Sequence, residues 1–377
     1  MDQAPNEENM KARCPREGLL AACQLASVAV PSRDIKPILR NLKAVATEDR
    51  CTLLATDMEI GIRLDVLGLT VEEPGEAILP ASRLINILRE ARDEELTLSA
   101  DPSACTVEGA SIFYEMPSED PAQFPEWPTF EDTKHHEITA GALREMIRRT
   151  VFAASTESGR YSMTGVLWEL EGETVKMVAT DGKKLALCQG VAAAIGGHTT
   201  KGMAPIVPTK AMNLLERNLQ DDASELVKVC FRANDALFRT GRASLYTRLV
   251  EGRFPDYKLV LPKRHAAKAT LEVTPFQAAV RQAAVMTDDE VKKVAFSFDK
   301  DKLTLKAEGP MSGKSKVELA IKYDGKPVTI NFNPQYVTDM LRVLPPDAEL
   351  ILELTDGNSP ALFKSGNDYQ YLVMPLS

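Results

Sequence analysis

The chain repeats a short phrase in which an aspartate follows an apolar run. Asp57 ends Leu-Leu-Ala-Thr-Asp and Asp181 ends Met-Val-Ala-Thr-Asp, about a domain's length apart. Paired carboxylates are the groups that many enzymes use as general acid and base. If the phrase belongs to a repeated domain, however, the two residues occupy equivalent places in different domains. The step from Asp181 to Gly182 then predicts a turn and not a catalytic pair.

A second candidate for chemistry is segment 309–315, Gly-Pro-Met-Ser-Gly-Lys-Ser, which is close to the pattern of a phosphate-binding loop. Such a loop has four residues between its glycines and opens a helix. Here the spacing is one residue short and 316–323 alternates like a strand, so we predict a charged hairpin loop. Segment 195–202 is glycine-rich without the Lys-Ser pair, and we predict a flexible surface loop.

The histidines and cysteines form no pattern typical of a metal site or a nucleophile. Six cysteines are scattered without a Cys-x-x-Cys pair, which predicts buried thiols and no disulfide framework. Only His135 and His136 are adjacent, in a polar stretch that resembles a linker. Hydrolase and metalloprotease motifs are missing from the sequence. We predict a binding or architectural protein, with no catalysis, cofactor or metal.

Composition sets further bounds. The 377 residues suggest two or three domains, and no apolar run approaches the roughly 20 residues that span a bilayer. The polar, acidic start is unlike a secretory signal, so we expect a cytoplasmic protein with a loose tail over 1–9. The net charge of −9 argues against a nucleic-acid partner when taken alone, but binding depends on where the charges lie.

Three helix-forming segments, 77–91, 205–219 and 329–344, align with one another and indicate an internal repeat. The aligned columns are Pro80, Pro208 and Asn333; Leu84, Met212 and Val337; Ile87, Leu215 and Met340; and Arg89, Arg217 and Arg342. Each copy also opens with another helix and closes with a pair of strand-like runs. A period of about 120 residues is typical of a duplicated domain, since solenoid repeats are shorter. The predicted domains are 10–134, 135–268 and 269–377.

Basic residues recur on the predicted helices of all three copies. A solvated helix face is the ordinary explanation, but one arginine column shared by three copies favours a basic concave surface. Such a surface would contact a nucleic-acid backbone without reading its sequence. The candidates are Arg83, Arg89, Arg144, Arg148, Arg149, Lys210, Arg217, Arg281 and Arg342.

Three phrases on this threefold repeat, "MVATDGKKLALC", "EGRFPDYKLVLPK" and the terminal "YLVMPL", resemble the bacterial sliding clamp, the beta subunit of the replicative DNA polymerase. The resemblance covers about residues 10–377. It implies an α+β DNA clamp fold of three repeated domains, each with an antiparallel sheet outside and two helices inside. It also implies a homodimer, joined head to tail into a closed ring around double-stranded DNA, that acts as a processivity factor near the nucleoid.

The resemblance further implies a pocket between the second and third domains. There the replicative polymerase subunit, the clamp loader, and repair and translesion polymerases would dock through short linear peptides. The matching positions are Met163, Thr180, Gly182, Lys183, Lys184, Leu185, Pro255, Val260, Asn333, Tyr336, Leu372, Met374, Pro375 and Leu376. Further DNA contacts would come from Arg33 and Tyr161, beside Lys210.

Two departures from the family pattern bear on these sites. Many members have His-Arg where this chain has Lys183 and Lys184, and Ser162 replaces a second aromatic residue after Tyr161. The alternative function is a protein-interaction scaffold, a clamp paralogue that does not encircle DNA. An enzyme with an unfamiliar site is a third, weaker hypothesis.

Overall fold

The computed structural model describes residues 9–31, 36–101, 103–131, 133–157, 159, 161–219, 222–287, 292–309 and 313–376. Within them, one order of elements occurs three times: a strand, a helix, five strands, a second helix and three strands. The strands pair antiparallel throughout the ladders described. The predicted threefold α+β repeat is therefore confirmed.

The elements of the first repeat are β1 (Met10–Pro15), α1 (Arg16–Ala26), β2 (Asn41–Ala46), β3 (Cys51–Thr56), β4 (Ile60–Asp65), β5 (Thr70–Glu73), β6 (Gly75–Pro80), α2 (Ala81–Glu90), β7 (Glu95–Ala100), β8 (Ala104–Glu108) and β9 (Phe113–Pro117). Those of the second are β10 (His135–Thr139), α3 (Ala140–Thr150), β11 (Gly165–Glu171), β12 (Thr174–Thr180), β13 (Lys184–Val191), β14 (Ala193–Ile195), β15 (Ile206–Pro208), α4 (Thr209–Asn218), β16 (Leu226–Phe231), β17 (Asp235–Arg239) and β18 (Ala243–Arg248).

The third repeat contains β19 (Ala267–Glu272), α5 (Val273–Ala284), β20 (Val294–Asp299), β21 (Lys302–Gly309), β22 (Gly313–Ala320), β23 (Lys322–Asp324), β24 (Val328–Phe332), α6 (Pro334–Arg342), β25 (Glu349–Leu354), β26 (Ala361–Ser365) and β27 (Tyr369–Val373). The prediction of two strands at the end of each copy was wrong, because each copy ends in three. The turns between these strands are as short as residues 240–242. The alternation of apolar and polar residues therefore continues almost without a break, and it does not separate two neighbouring strands.

The chain divides into two compact units, and the second repeat is shared between them. One unit holds Met1–Gly141, Ala194–His198 and Asn213–Leu249. Its nine-stranded sheet has the order β14-β10-β16-β17-β18-β4-β3-β2-β6, and its five-stranded sheet the order β5-β1-β7-β8-β9. In the larger sheet β18, the last strand of the second repeat, pairs with β4 of the first.

The other unit holds Ala142–Ala193, Thr199–Met212 and Val250–Ser377. Its nine-stranded sheet runs β15-β11-β12-β13-β27-β26-β25-β19-β23, and its four-stranded sheet runs β22-β21-β20-β24. Here β27, the last strand of the third repeat, pairs with β13 of the second. The same junction is thus made twice: the last strand of one repeat joins the strand that follows the Ala-Thr-Asp position of the repeat before it.

The helices pack through apolar stripes, as their periodicity predicts. In one unit α1 packs against α2, and in the other α5 packs against α6. The aligned column of Leu84, Met212 and Val337 is fully buried in all three copies. Pro80 occupies the N-cap position of α2 without a capping hydrogen bond, whereas Asn333 caps α6 because its side chain accepts a hydrogen bond from the backbone N–H of Gln335 at 3.0 Å.

The histidines are not in a loose linker, contrary to the prediction. His135 and His136 are buried in β10, and His136 Nδ1 lies 2.7 Å from Nδ1 of buried His198. His198 Nε2 accepts from the backbone N–H of Phe231 at 3.0 Å, so its other nitrogen carries the proton. Burial, reinforced by His136, lowers the pKa of His198. Segment 195–202, predicted as a flexible surface loop, is thus anchored through this residue.

Candidate partner-binding and nucleic-acid-binding sites

The second Ala-Thr-Asp phrase ends β12 and builds the tight turn into β13. Asp181 Oδ1 accepts hydrogen bonds from the backbone N–H groups of Lys183 at 2.8 Å and Lys184 at 2.9 Å. The Thr180 hydroxyl accepts from the N–H of Gly182 at 3.1 Å and donates to the carbonyl of Lys184 at 2.7 Å. Gly182 has a φ of 86°, a left-handed conformation that glycine adopts readily. The phrase therefore encodes a turn, as predicted.

The first copy of the phrase, between β3 and β4, makes the same hydrogen bonds. Asp57 Oδ1 accepts from the N–H groups of Glu59 at 3.0 Å and Ile60 at 2.8 Å. The Thr56 hydroxyl accepts from Met58 N–H at 2.9 Å and donates to the carbonyl of Ile60 at 2.7 Å. Each carboxylate thus serves its own turn, in a different compact unit, and the catalytic-pair hypothesis has no support.

The segment that resembles a phosphate-binding loop lies at the equivalent position of the third repeat. It connects β21 and β22, whose end residues Gly309 and Gly313 pair antiparallel, while residues 310–312 lie outside the described part of the chain. The predicted hairpin is confirmed. A phosphate-binding loop is excluded, because a strand follows the segment where a helix would be needed.

Lys183 and Lys184 have different environments at the second turn. The Lys184 ammonium lies 2.9 Å from Asp181 Oδ2 and 4.6 Å from the centre of the Tyr336 ring, which fixes its position. Lys183 is exposed, and its side chain has no partner among the described residues. Lys184 is therefore a fixed part of the turn, whereas the ammonium group of Lys183 is available to a ligand.

The C-terminal segment passes directly beside this turn. Lys184 pairs with Val373 in the ladder between β13 and β27, and Met374 N–H donates to the carbonyl of Lys183 at 2.9 Å. Leu376 N–H donates to the carbonyl of Asn331 at 2.8 Å. Met374 is 38% exposed, so its side chain presents apolar surface at the edge of the turn.

An apolar cluster lies under the turn and the C-terminal segment. Its buried members are Leu167, Val178, Leu185, Leu187, Ile206, Phe254, Tyr257, Leu362 and Leu372, with Val250 and Leu261 packed against them. Leu185 and Leu372, both predicted site residues, are nearly fully buried, so they support the site from below. At the surface above this core, Val260 is 46% exposed and Leu259 is 80% exposed.

The sequence interpretation missed Phe254, Tyr257 and Glu169. Phe254 and Tyr257 belong to the Gly-Arg-Phe-Pro-Asp-Tyr phrase, which carries the family resemblance but from which only Pro255 was assigned to the site. The Tyr257 hydroxyl donates to Glu169 Oε2 at 2.9 Å. Burial and this carboxylate raise the pKa of Tyr257 above its usual range, so the hydroxyl stays protonated and donates. The bond fixes the segment that carries Pro255 and Val260.

The first repeat fills the equivalent position with its own side chain. A Cβ added at Gly61, which stands where Leu185 stands in the second repeat, would lie 2.6 Å from the Trp127 ring. Trp127 and Phe124 occupy the places of Tyr257 and Phe254 in the closing phrase, and Trp127 packs on the apolar cluster around Phe124. Among the described residues, the second copy is therefore the one that combines its turn with the C-terminal segment and with the exposed apolar residues Val260 and Met374.

The predicted peptide-site residues differ in accessibility. The exposed residues are Gly182, Lys183, Pro255, Val260 and Met374, and the half-buried ones are Met163, Lys184, Asn333, Tyr336, Pro375 and Leu376. Thr180 is buried, and its hydroxyl is engaged in the turn, so it shapes the site. Met163 accepts a backbone bond from Ser155, and its place beside the others rests on the resemblance alone.

Most of the predicted DNA-contacting residues lie on helix faces open to solvent. The exposed ones are Arg83, Arg89, Arg148, Lys210, Arg217, Arg281 and Arg342, and Arg144 is half-buried. The side chains of Arg83, Arg89, Arg217 and Arg281 have no partner among the described residues. Arg33 lies outside those residues, and of Tyr161 only the backbone, in a short 3-10 helix, is described.

Arg149 must be removed from the predicted DNA-contacting set. Its side chain is 8% exposed, forms ion pairs with Glu145 and, at 3.0 Å, with Asp368, and lies over the Tyr369 ring. A buried cation with two carboxylate partners is a packing element between α3 and β27. The column of Arg89, Arg217 and Arg342 also has a structural role, since a cation in the last turn of a helix stabilises that end.

Within the described residues, no group of three or more His, Cys, Asp and Glu is arranged to hold a metal ion. The cysteines are free; all are buried except Cys230, which is partly buried. Burial raises the pKa of Cys51 and Cys188 to about 12, which disfavours the thiolate that nucleophilic chemistry needs. Among the same residues, no helix combines the length and apolar character needed to cross a membrane.

Three repeats of one α+β domain, joined through shared sheets and with exposed apolar residues beside the second turn, define the class of DNA clamp proteins. Family models of the DNA polymerase III beta subunit match the chain in order: the N-terminal domain at 10–128, the central domain at 137–256 and the C-terminal domain at 258–377. The chain belongs to this family, whose members are processivity factors without catalytic activity.

Relatives and solved structures agree over almost the whole chain. The beta sliding clamp of Caulobacter vibrioides is 30% identical over 377 residues, covering 97% of this chain and 100% of the relative. That of Synechocystis is 28% identical, covering 97% and 99%. The sliding clamp of Pseudomonas aeruginosa bound to griselimycin superposes with a TM-score of 0.90 at 26% identity, covering 98% of this chain and all of that one.

Proposed function

We propose that this protein is a sliding clamp that, as a closed ring of two copies, encircles duplex DNA and tethers the replicative polymerase to its template. The observation that carries the proposal is the threefold repeat, in which every copy matches a domain of the clamp family in order. Topological linkage explains why no catalytic group is needed. Loading onto circular DNA, followed by linearisation, tests the proposal.

The strand order supports closure by two copies. The last strand of the second repeat pairs with β4, and the last strand of the third pairs with β13. By the same rule the last strand of the first repeat, β9, would pair with β22 of the third. Both lie at the end of their sheets, with a strand on one side only. In a head-to-tail pair of copies, β9 of each copy pairs with β22 of the other, so neither of these two strands remains a free edge.

The register of the two internal junctions predicts the contacts of the junction between copies. In both, the first residue of the receiving strand pairs with the fifth residue of the last strand. Applied to β22 and β9, this rule places Phe113 opposite Val317 and Tyr114 opposite Lys316. Phe113 is 62% exposed and Tyr114 is 40% exposed, which is unusual for aromatic residues unless a partner covers them.

DNA contact is proposed for the exposed basic residues on the helices. Reversing Lys210 and Arg217 to Glu should weaken DNA binding and reduce its salt dependence, because each lost phosphate contact removes about 0.9 from the slope of log K against log salt. We expect a decrease of roughly 2 for the pair. Fluorescence anisotropy with a DNA duplex over a salt series measures this slope.

The matched control is the double variant Lys201→Glu with Lys326→Glu, which makes the same change in net charge at exposed positions off the helices. It should leave the slope nearly unchanged. Equal slopes for both double variants would mean that only net charge matters and that Lys210 and Arg217 do not touch DNA.

The peptide site is proposed to bind the replicative polymerase subunit, the clamp loader, and repair and translesion polymerases. Adaptable Met374 and exposed Val260 would anchor an apolar peptide side chain above the buried cluster, since a few anchors supply most of the affinity of a short peptide. The alternative, a scaffold that binds such peptides but does not encircle DNA, shares this site. The scaffold differs from a clamp because it would not be topologically linked to DNA.

A further inference from the structure

An arginine-lined cavity of about 330 Å³ lies in the unit that contains β3, β4, β17 and β18. Arg50, Arg63, Arg239 and Arg242 line it, and Asp65 is the one carboxylate among its lining residues. We call this cavity the arginine pocket. None of these residues belongs to the peptide site or to the basic helix faces. The chain as a whole has a net charge of −9, so this local excess of positive charge is a place where an anion would be attracted.

The sheet register brings these groups to one face. Ser244 lies opposite Arg239 on one side and opposite Arg63 on the other. Thr52 lies opposite Asp65 in the neighbouring ladder. Side chains of directly opposed residues share a face of the sheet, so the cations and hydroxyls converge. The turn after β17 adds Arg242, whose carbonyl accepts from Asp65 N–H at 2.9 Å.

The carboxylate of the pocket does not neutralise its arginines. Asp65 accepts a hydrogen bond from the Thr52 hydroxyl at 2.7 Å, and no ion pair joins it to a described arginine. The Arg63 guanidinium lies 4.7 Å from the Trp127 ring centre and donates to the Trp127 carbonyl at 3.1 Å, and its charged neighbour is Glu126, which does not line the pocket. Its orientation is therefore fixed without loss of its charge.

Two of the arginines have unused hydrogen-bonding capacity. The side chains of Arg50 and Arg242 make no hydrogen bond to a described residue, although Asp49 interacts electrostatically with Arg50, and the Nε of Arg242 is buried without a hydrogen bond. A buried donor left unsatisfied is destabilising, and adjacent like charges add repulsion. An anion in the pocket would remove both costs.

We propose that the arginine pocket binds an oligophosphate anion, such as pyrophosphate or the phosphate chain of a nucleotide. Guanidinium groups match phosphate oxygens in paired hydrogen bonds, and the hydroxyl of Ser244 adds a neutral donor. Several arginines against one carboxylate favour a ligand with more than one negative charge. The cavity is many times the roughly 30 Å³ of a water molecule, which suits two or three linked phosphates.

Titration of the full-length protein with pyrophosphate, at constant ionic strength and without magnesium, tests the proposal by calorimetry and by ³¹P NMR. Binding should saturate at one anion per chain. Arg50→Gln and Arg242→Gln should each weaken it about tenfold, the loss expected for one charge-assisted hydrogen bond. Arg50 is exposed, so its variant reports on the pocket even if Arg242→Gln unfolds.

The control is Arg248→Gln, an exposed arginine farther along β18 whose nearest acid is Glu59 at 3.7 Å. It should bind pyrophosphate as the unaltered protein does, and a nucleoside triphosphate should displace pyrophosphate. Unsaturable binding, equal weakening in Arg248→Gln, full affinity in Arg50→Gln, or failure of the triphosphate to compete would each overturn the proposal.

Discussion

Deleting Met374–Ser377 should weaken the binding of a polymerase-derived peptide by at least about 30-fold, which is the loss of one interface hot spot. The deletion removes the exposed Met374 side chain and the two backbone hydrogen bonds that hold this segment against Lys183 and Asn331. It leaves β27, which ends at Val373, and the ladder to β13 intact. Fluorescence anisotropy with a labelled peptide measures the affinity.

Two controls separate loss of the site from loss of the fold. Val285→Ser removes a more exposed apolar side chain (71% exposed) at the end of α5 and should not change peptide affinity. The truncated protein should unfold within a few degrees of the full chain and should still form dimers. Normal peptide affinity in the truncated protein would show that the peptide binds elsewhere.

Phe113→Asp should raise the dissociation constant of the dimer at least about 100-fold. At the proposed junction the new carboxylate would face Val317 with no cation opposite it, and burying an unpaired charge costs about 3 kcal/mol or more. In the single chain Phe113 is 62% exposed, so the substitution should hardly affect folding. Sedimentation equilibrium distinguishes monomers from dimers.

Val191→Asp places the same charge on an apolar residue that is 77% exposed at the end of β13 and should leave the dimer intact. Adding Val317→Lys to Phe113→Asp should restore part of the dimer affinity, because the predicted register sets these residues side by side. A dimer unaffected by Phe113→Asp would contradict pairing between β9 and β22. Failure of the second substitution to rescue would contradict the register.

The repeat and its helices could be predicted because they depend on local patterns. Leu84, Met212 and Val337 are buried at the same position of an apolar helical stripe, and the spacing of apolar residues along the sequence is enough to identify that position. The Ala-Thr-Asp turns could also be predicted, since Asp57 and Asp181 bond to backbone groups two and three residues away.

The errors occurred where a side chain meets a partner far along the chain. Arg149 follows Arg148 on an apparently basic helix, but its partner Asp368 is 219 residues away and belongs to another repeat. His136 was predicted to lie in a polar linker, but in the structure it is enclosed by His198 and by the ladder between β10 and β16. The support of the peptide site by Tyr257 and Glu169 was missed for the same reason, since no short pattern joins them.

Retention on closed and cut circular DNA tests most directly whether the protein is a sliding clamp. The protein is loaded onto nicked plasmid by a clamp loader with ATP, separated from free protein, and the plasmid is then cut once. A ring held only by topology should stay on the circle at a salt concentration that abolishes ordinary binding and should leave after the cut. Retention that is equal before and after the cut, or absent from the circle, would contradict encirclement and favour the scaffold.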